Sequence, residues 1–296
     1  MNRPNFLVIG AQRAGTTLLH RLLASHPDVH VPFQRKEVHY FDWYFERGDA
    51  WYAGYFPTER ASRRYVAVGE VTPDYLAHAQ APRRIHDTLP GCRLIAILRD
   101  PVDRAFSWYQ YNRRNSAEQR PFERFVDEDA TAVEYGLYHK HLSRYWELVP
   151  EHAIKVLIYE DLIADPSRES QALESFLGLS RSFPDPTALL AERVNTGPVP
   201  RHRRAFTFAR RVGGFLMRHD VNWPARMAKR FGVREWFGKE GGVAALDPSV
   251  RNRVSARFLE DTIRLGKVLD RDLVEVWRLG RAAGGARSGN RQSQRV

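Results

Sequence analysis

The sequence predicts an α/β fold with three layers, in which a central parallel sheet is flanked by helices. Short stretches rich in β-branched and aliphatic residues alternate with helical stretches, which is the pattern of a parallel sheet covered on both faces. A turn of small residues directly follows the first of these stretches, as it does where a strand leads into a helix. Strands are predicted at residues 6–10, 65–70, 92–98 and 154–159.

The helices are predicted from their start signals and from apolar periodicity. An aspartate that can cap a helix stands before a proline suited to the first helical position at three places: Asp100, Asp165 and Asp247. Residues 138–149 place their apolar side chains on one helical face. The start at Asp247 predicts one long amphipathic helix that closes the domain, with apolar residues at Val250, Val254, Phe258, Leu265, Leu269, Val276 and Trp277.

Length and composition exclude several classes of protein. With 296 residues, of which 43% are hydrophobic and 12% aromatic, the chain can bury a core, so it is not a disordered protein. The single thiol, Cys92, excludes an intrachain disulfide framework and is expected in the core. The chain opens on a strand instead of a signal peptide, and no apolar run approaches the roughly 20 residues of a membrane span. We therefore expect a cytoplasmic protein without a transmembrane segment.

The net charge of +11 is unevenly distributed. Residues 191–240 contain 12 basic and 4 acidic side chains, and residues 281–296 contain four arginines and no acid. We expect a single domain over residues 1–280, with a basic insertion at about 195–240, followed by a disordered basic tail at 281–296. The insertion is interpreted either as a lid that grips an acceptor or as an amphipathic surface for an anionic membrane or a partner.

The strongest local signal is the turn at residues 10–17, here called the phosphate loop. Small residues let the backbone fold around an anion, and the free N–H groups at the following helix start point at it. Thr16 stands where the regular phosphate-loop motif requires a lysine, so Arg13 is the expected cation. The fold is therefore P-loop-like, although a turn without a ligand is the alternative. The candidate ligands are Gln12, Arg13, Ala14, Gly15, Thr16 and Thr17.

A second anion site is predicted where the strand at residues 92–98 ends. Ligands of open parallel sheets bind at the carboxyl ends of the strands, so Arg99 and Ser107 are expected to face the same crevice as the phosphate loop. Taken alone, Arg99 is better explained as an ion-pair partner of Asp103. Together with the phosphate loop, it predicts two anion sites that flank one ligand.

Residues 36–43, here called the acidic loop, carry a third signal. Glu37, His39 and Asp42 place an imidazole between two acids, which suits removal of a proton from an attacking group. A charged surface loop is the alternative interpretation.

Residues 5–42 and 92–112 resemble the sulfotransferases that use 3′-phosphoadenosine 5′-phosphosulfate (PAPS), especially the heparan sulfate 3-O- and N-sulfotransferase branch. The phosphate loop matches the 5′-phosphosulfate loop of this family, Arg99 and Ser107 match its 3′-phosphate site, and the acidic loop matches the branch's acidic motif. Further similarity runs through residues 51–52 and 70–75 and, more loosely, the final helix.

The resemblance implies in-line transfer of a sulfuryl group from PAPS to a hydroxyl or amine of a carbohydrate or small-molecule acceptor, without a metal. Glu37 would be the general base, and His39 and Asp42 would place the acceptor or the base. Arg13 would offset the charge that grows on the leaving 5′-phosphate of the product, 3′-phosphoadenosine 5′-phosphate (PAP). A basic loop would close over the nucleotide, with Arg201, Arg203 and Arg204 as its phosphate ligands.

The chain departs from the branch at Val71, where a lysine is often found near the sulfate. We expect Arg13 or a residue of the basic insertion to compensate. The animal glycan-modifying relatives also carry a membrane anchor and a disulfide, which are not expected here, so their acceptor and compartment are not transferred to this chain.

Two other functions stay open at this point. A small-molecule kinase would use the same kind of loop, but it normally needs the missing lysine after Gly15 and would depend on magnesium. A non-catalytic binder of RNA, DNA or acidic glycan would use the basic insertion and tail, with affinity that falls steeply with salt. No nucleic-acid-binding motif is present, so a nucleic-acid partner is not expected.

Overall fold

The computed structural model describes residues 3–32, 35–116, 118–191, 199–200, 238–239 and 246–280. Arg201, Arg203, Arg204 and the basic tail at 281–296 lie outside the described residues. Of the basic insertion, only its two edges are described, as two-residue strands.

The core of the fold is a five-stranded parallel sheet with the strand order β2-β3-β1-β4-β5. This confirms the predicted α/β class. Three predicted strands differ from the observed ones by one or two residues at their ends, and the two-residue β2 was not predicted. The strands are β1 (Phe6–Gly10), β2 (Val29–His30), β3 (Ala67–Val71), β4 (Arg93–Leu98) and β5 (Ile154–Ile158).

Helices cover both faces of the sheet, so alternate residues of a strand pack into two different hydrophobic clusters. Leu7 and Ile9 belong to one cluster and Phe6 and Val8 to the other, and all four are fully buried. The described helices before the insertion are α1 (Thr16–Ser25), α2 (Gly48–Ala53), α3 (Glu59–Ser62), α4 (Ala81–Thr88), α5 (Pro101–Asn115), α6 (Phe122–Glu128), α7 (Ala130–Glu134), α8 (Tyr138–Trp146), α9 (Tyr159–Ala164), α10 (Pro166–Leu177) and α11 (Pro186–Ala191).

The three predicted aspartate caps are confirmed. Asp100 accepts hydrogen bonds from the backbone of Val102 and Asp103 at the start of α5, and Asp165 caps α10. Asp247 caps α12 (Pro248–Ser255). Cys92 is buried, as expected.

The prediction of one long C-terminal helix is wrong. After α12 the chain forms α13 (Leu259–Val268) and α14 (Leu273–Val276), separated by turns. Asp270 adopts a left-handed backbone with φ of 49°, and Arg271 N–H bonds back to Gly266 O at 2.9 Å, which ends α13. The breaks let Phe258, Leu265 and Trp277 all enter the core, at no more than 1% exposure.

The strands β6 (Val199–Pro200) and β7 (Gly238–Lys239) pair antiparallel, so the two edges of the basic insertion meet. Across the described parts of the chain, none of the helices combines the length and the apolar character that a membrane span requires.

Candidate active site

The carboxyl ends of four strands meet at one edge of the sheet and bring the predicted segments together. The phosphate loop follows β1, and a 3-10 turn at Pro73–Tyr75 follows β3. Arg99 follows β4 and Tyr159 follows β5. The acidic loop lies against the turn after β3, where the N–H groups of Val38 and Tyr40 donate hydrogen bonds to side chains of residues 72 and 75.

The phosphate loop is a compact turn that requires a glycine before α1. Gly15 caps α1 with a left-handed φ of 103°, and a Cβ at this position would lie 2.6 Å from Cδ2 of Tyr159. Ala11 N–H bonds to Ile97 O at 2.8 Å, which ties the loop to β4. The first N–H groups of α1 have no partner within the helix, so they are available to an anion at Thr16 and Thr17.

Arg13 connects the phosphate loop to α5. Its backbone is left-handed with φ of 68°, and its Nε donates to Ser107 Oγ at 3.2 Å. Its guanidinium lies 5.0 Å from the ring centre of Tyr111. Burial and the nearby charge of Arg114 lower the pKa of Arg13. The structure thus brings together the two segments that were predicted to bind the two phosphates.

Arg99 is only weakly paired. Its guanidinium lies 5.0 Å from the ring centre of Tyr159, and its Nη2 is 3.8 Å from Asp103 Oδ2. Asp103 makes a much shorter ion pair, 2.5 Å, with Arg251. The buried Nε of Arg99 has no hydrogen-bond partner. Buried polar groups usually have a hydrogen-bond partner, and an anion bound at this position would supply the missing acceptor.

The acidic loop forms a chain of acid, imidazole and acid. His39 Nδ1 lies 2.8 Å from Asp42 Oδ2, and His39 Nε2 lies 3.5 Å from Glu37 Oε2. The side chain of Asp42 is 1% exposed, whereas that of Glu37 keeps 38% of its surface exposed. Trp43 stacks on the imidazole with ring centres 3.9 Å apart. His39 therefore has a buried carboxylate on one side and an accessible one on the other.

The charges of these groups are coupled. Burial alone would raise the pKa of Glu37, but hydrogen bonds from His39 and Lys36 and their charges lower it to about 2. Burial alone would lower the pKa of His39, but Asp42 and Glu37 raise it to about 9. At neutral pH Glu37 is therefore a carboxylate and His39 an imidazolium.

Glu70, to which sequence analysis assigned no role, supports the candidate site through hydrogen bonds. It is fully buried at the end of β3 and accepts hydrogen bonds from three hydroxyl groups, at 2.8 Å from Tyr52, 2.9 Å from Tyr75 and 2.6 Å from Thr72. Burial raises its pKa, and these hydrogen bonds oppose that change. A glutamate in an otherwise apolar strand is the sequence signal that could have revealed it.

Two of these hydroxyl groups carry the acidic loop. Thr72 Oγ1 accepts a hydrogen bond from Val38 N–H at 3.0 Å, and Tyr75 OH accepts one from Tyr40 N–H at 2.8 Å. His39, between them, has a left-handed backbone with φ of 59°. Residues other than glycine adopt this conformation at an energetic cost, which the surrounding hydrogen bonds must offset.

Lys36 is the second residue that sequence analysis missed. Its Nζ lies 3.0 Å from Thr17 Oγ1 and 3.2 Å from Glu37 Oε1, so it joins the phosphate loop to the acidic loop. Val71, where the resemblance leads one to expect a lysine, is fully buried in β3 within an apolar cluster.

Gln12 and Asp74 form a further contact beside the acidic loop, with Gln12 Nε2 2.9 Å from Asp74 Oδ1. Burial raises the pKa of Asp74 to about 6. His39, Asp42 and Asp74 each place one ligand atom within 4.8 Å of the others, a spacing that a metal ion could bridge. Both ring nitrogens of His39 also lie near carboxylate oxygens, and the imidazolium form that these contacts favour has no lone pair to offer a metal.

The comparisons with known proteins place the chain among the sulfotransferases. The sulfotransferase domain family model matches residues 3–196. Heparan sulfate glucosamine 3-O-sulfotransferase 6 of Mus musculus is 34% identical over 190 residues, which are 62% of this chain and 54% of that protein. The membrane-associated sulfotransferase kil1 of Dictyostelium discoideum is 35% identical over 137 residues, covering 44% of this chain and 29% of that protein. The chain spans about half the length, or less, of these curated relatives.

Solved structures support the fold. A sulfotransferase from Alicyclobacillus acidocaldarius is similar with a TM-score of 0.66 at 23% identity, covering 94% of this chain and 100% of that chain. The sulfotransferase domain of the Synechococcus PCC 7002 olefin synthase gives a TM-score of 0.50 at 15% identity, covering 92% and 96%. Because the family match spans most of the chain and includes the phosphate loop, the acidic loop and α5, this chain belongs to the sulfotransferase family.

Proposed function

We propose that the protein transfers a sulfuryl group from PAPS to a hydroxyl or amine of a carbohydrate or other small-molecule acceptor. The observation that carries the proposal is the contact between the phosphate loop and the acidic loop. Lys36 touches Thr17 on one side and Glu37 on the other, which supports a proposed proton acceptor beside the proposed anion site. Family membership supports the same reaction class.

The donor nucleotide carries two phosphate groups, which suits two neighbouring anion sites. The N-terminal end of α1, with Thr16 and Thr17, would bind the 5′-phosphosulfate, since helix N-termini favour anions. Ser107 and Arg99 would bind the 3′-phosphate, and Arg13 lies between the two sites through its bond to Ser107. A guanidinium can bind two oxygens of one phosphate at once.

In the proposed reaction the Glu37 carboxylate takes the proton of the acceptor hydroxyl or amine. The acceptor atom forms a bond to sulfur while the bond from sulfur to the 5′-phosphate oxygen breaks, and that oxygen keeps the electron pair as PAP leaves. Arg13 offsets the negative charge that grows on the leaving group. His39 holds Glu37 in place, and Asp42 fixes the imidazole. No metal takes part in this scheme.

The acceptor class and the surroundings of the enzyme belong to the same proposal. The curated relatives are named for glucosamine in heparan sulfate, and a carbohydrate acceptor is proposed here on that likeness. A cytoplasmic location is proposed because the single buried Cys92 offers no disulfide framework. The basic insertion would close over the nucleotide or the acceptor.

A thermal-shift titration with PAP, ADP and AMP, with and without magnesium, tests the donor site. At a ligand concentration about a hundredfold above its dissociation constant, binding adds roughly 2.7 kcal/mol, which shifts the melting temperature by several degrees. We expect a large shift for PAP alone that is unaffected by magnesium or by a chelator. A screen of acceptors with PAPS that carries radioactive sulfur then tests the transfer.

Two results would contradict the proposal. A shift that follows ADP and needs magnesium would favour a kinase. Binding to polyanions that is lost steeply with salt, together with no nucleotide effect, would favour a non-catalytic binder.

A further inference from the structure

Lys36 occupies an unusual position for a residue on a half-exposed loop. Its ammonium contacts Thr17, in the first turn of α1, and the carboxylate of Glu37, while its side chain keeps 25% of its surface exposed. A surface lysine normally points its charge into water, because an exposed ion pair contributes little. Here the charge is held between the two loops that make up the candidate site.

The geometry of the proposed transfer reaction indicates what the Lys36 ammonium could do at this position. In an in-line displacement the attacking atom, the transferred group and the leaving oxygen lie roughly on one line, as in phosphoryl transfer. Glu37 would lie beside the attacking atom of the acceptor, and Thr17 would lie beside the leaving oxygen. A side chain that reaches both must lie beside the middle of the line, where the sulfuryl group is transferred.

Three other cations of the site that the structure describes have different partners. Arg13 donates to Ser107 on α5, and Arg99 lies over Tyr159 and near Asp103. His39 contacts Glu37, but it is also held at 2.8 Å by Asp42, so it cannot leave without breaking a buried bond. Lys36 has a long flexible side chain and three rotatable donors, which allow it to change partners.

We propose that Lys36 is a catalytic residue that moves its ammonium from Glu37 onto the sulfuryl oxygens when the donor binds. This inference rests on the proposed sulfotransferase function. As the acceptor oxygen or nitrogen bonds to sulfur and the bond to the 5′-phosphate breaks, Lys36 balances the charge on the oxygens of the transferred group. The acceptor proton goes to Glu37, and the electron pair goes to PAP. Lys36 thereby supplies the charge that is missing at Val71.

The movement of Lys36 towards the donor would also change the basicity of Glu37. While Lys36 contacts Glu37, two cations stabilise the carboxylate and weaken it as a proton acceptor. When Lys36 turns to the donor, His39 is the cationic neighbour that stays beside the Glu37 carboxylate among the described side chains. Glu37 therefore becomes a stronger proton acceptor when the donor binds.

The test compares Lys36→Met, Lys36→Arg and the control Lys267→Met, which changes an exposed lysine on α13. Dissociation constants for PAP and PAPS are measured by calorimetry, and kcat and KM by transfer of labelled sulfate. In Lys36→Met we expect PAP affinity to stay within about twofold, PAPS affinity to fall about tenfold, and kcat to fall about a hundredfold. Lys36→Arg should recover much of the PAPS affinity, because it keeps the charge, and Lys267→Met should match the unchanged protein.

Each other result overturns the inference in a recognisable way. Equal losses of PAP and PAPS affinity in Lys36→Met would mean that Lys36 only supports the loop. Unchanged PAPS affinity and kcat would mean that it has no part in transfer, while the proposed function stands. If the unchanged protein binds neither PAP nor PAPS, the proposed function fails and this inference fails with it.

Discussion

Glu37 combines an accessible carboxylate with two cationic neighbours, and its proposed role can be tested by a change of one atom. Glu37→Gln keeps the size of the side chain but removes the proton acceptor. We expect kcat to fall by about 10²- to 10⁴-fold, with PAP binding nearly unchanged. Transfer of labelled sulfate and PAP calorimetry measure the two effects.

The control for this experiment is Glu260→Gln, an exposed residue on α13 paired with Arg264, for which we expect full activity. Unaltered turnover in Glu37→Gln would assign the base to another group.

The charge of His39 predicts how stability changes with pH. Its pKa is about 9 in the folded protein and near 6.5 when unfolded, so the folded state holds the proton more tightly. The resulting stabilisation, on the order of 3 kcal/mol, is complete below pH 6.5 and is lost as the pH rises through 9. Urea unfolding of the unchanged protein and of His39→Asn should therefore differ more at pH 6 than at pH 9.5. An equal difference at both pH values would show that folding does not raise the pKa of His39.

The sequence singled out Glu37, His39 and Asp42 but not Lys36 or Glu70. The first three stand close together in one short segment, so their spacing alone predicts a shared site. Lys36 contacts Thr17, which is 19 positions away in the sequence. Thr72 accepts a hydrogen bond from Val38 N–H, which is 34 positions away. Contacts of this kind arise only when the chain folds, and a single sequence has no local pattern that reports them.

At the scale of elements, Glu70 links β3 to the acidic loop. Glu70→Gln replaces an acceptor with a group that also donates, and this donor would face hydroxyl groups that must themselves donate. We expect a loss of about 1–3 kcal/mol in the free energy of unfolding, together with a lower kcat as the acidic loop loses its support. Urea unfolding and the transfer assay measure the two losses.

Two conservative variants separate stability from positioning. Tyr52→Phe removes one hydroxyl from Glu70 and is expected to lower stability with little effect on kcat. Tyr75→Phe also removes the acceptor for Tyr40 N–H, so it should lower kcat as well. Equal effects of the two variants on kcat would mean that the hydrogen bond from Tyr40 N–H to Tyr75 does not position the acidic loop.

The strands and helix starts were predictable because their signals are local. A short apolar run or an aspartate before a proline is visible within a few residues. The prediction of one long C-terminal helix is wrong because the apolar periodicity of the sequence continues through the turn at Asp270, where the backbone is left-handed. The turn is favoured by packing against the core, which periodicity does not report. The two-residue β2 is too short to produce any pattern.

On the scale of the whole molecule, the C-terminal helices complete a fold that the family match leaves at residue 196. Arg251 on α12 binds Asp103 at 2.5 Å and also pairs with the buried Asp100 at the start of α5. Trp277 Nε1 donates to Glu160 Oε2 at 3.0 Å. The last helices are therefore tied by charge and by packing to the elements that hold the site.

Removing the ion pairs of Arg251 should lower the free energy of unfolding by an amount that depends on pH. Arg251→Met leaves the carboxylate of Asp100 buried without its partner, which costs about 3–5 kcal/mol for a buried pair. Burial and the neighbouring Asp103 raise the pKa of Asp100 to about 6, and a protonated carboxyl needs no counter-charge. We therefore expect a larger loss of stability at pH 8 than at pH 5, measured by urea unfolding.

The control is Arg264→Met, which breaks an exposed ion pair on α13 and should change stability by less than about 1 kcal/mol. A cost for Arg251→Met that is the same at both pH values would mean that Asp100 stays ionised throughout.

The stacking of Trp43 on His39 gives the site an optical property. The two rings are nearly parallel, at 3°, and the indole keeps 59% of its surface exposed. An imidazolium in contact with an indole quenches its fluorescence by accepting an electron from the excited ring. The emission of Trp43 should therefore follow the charge of His39, which lies beside the proposed base Glu37.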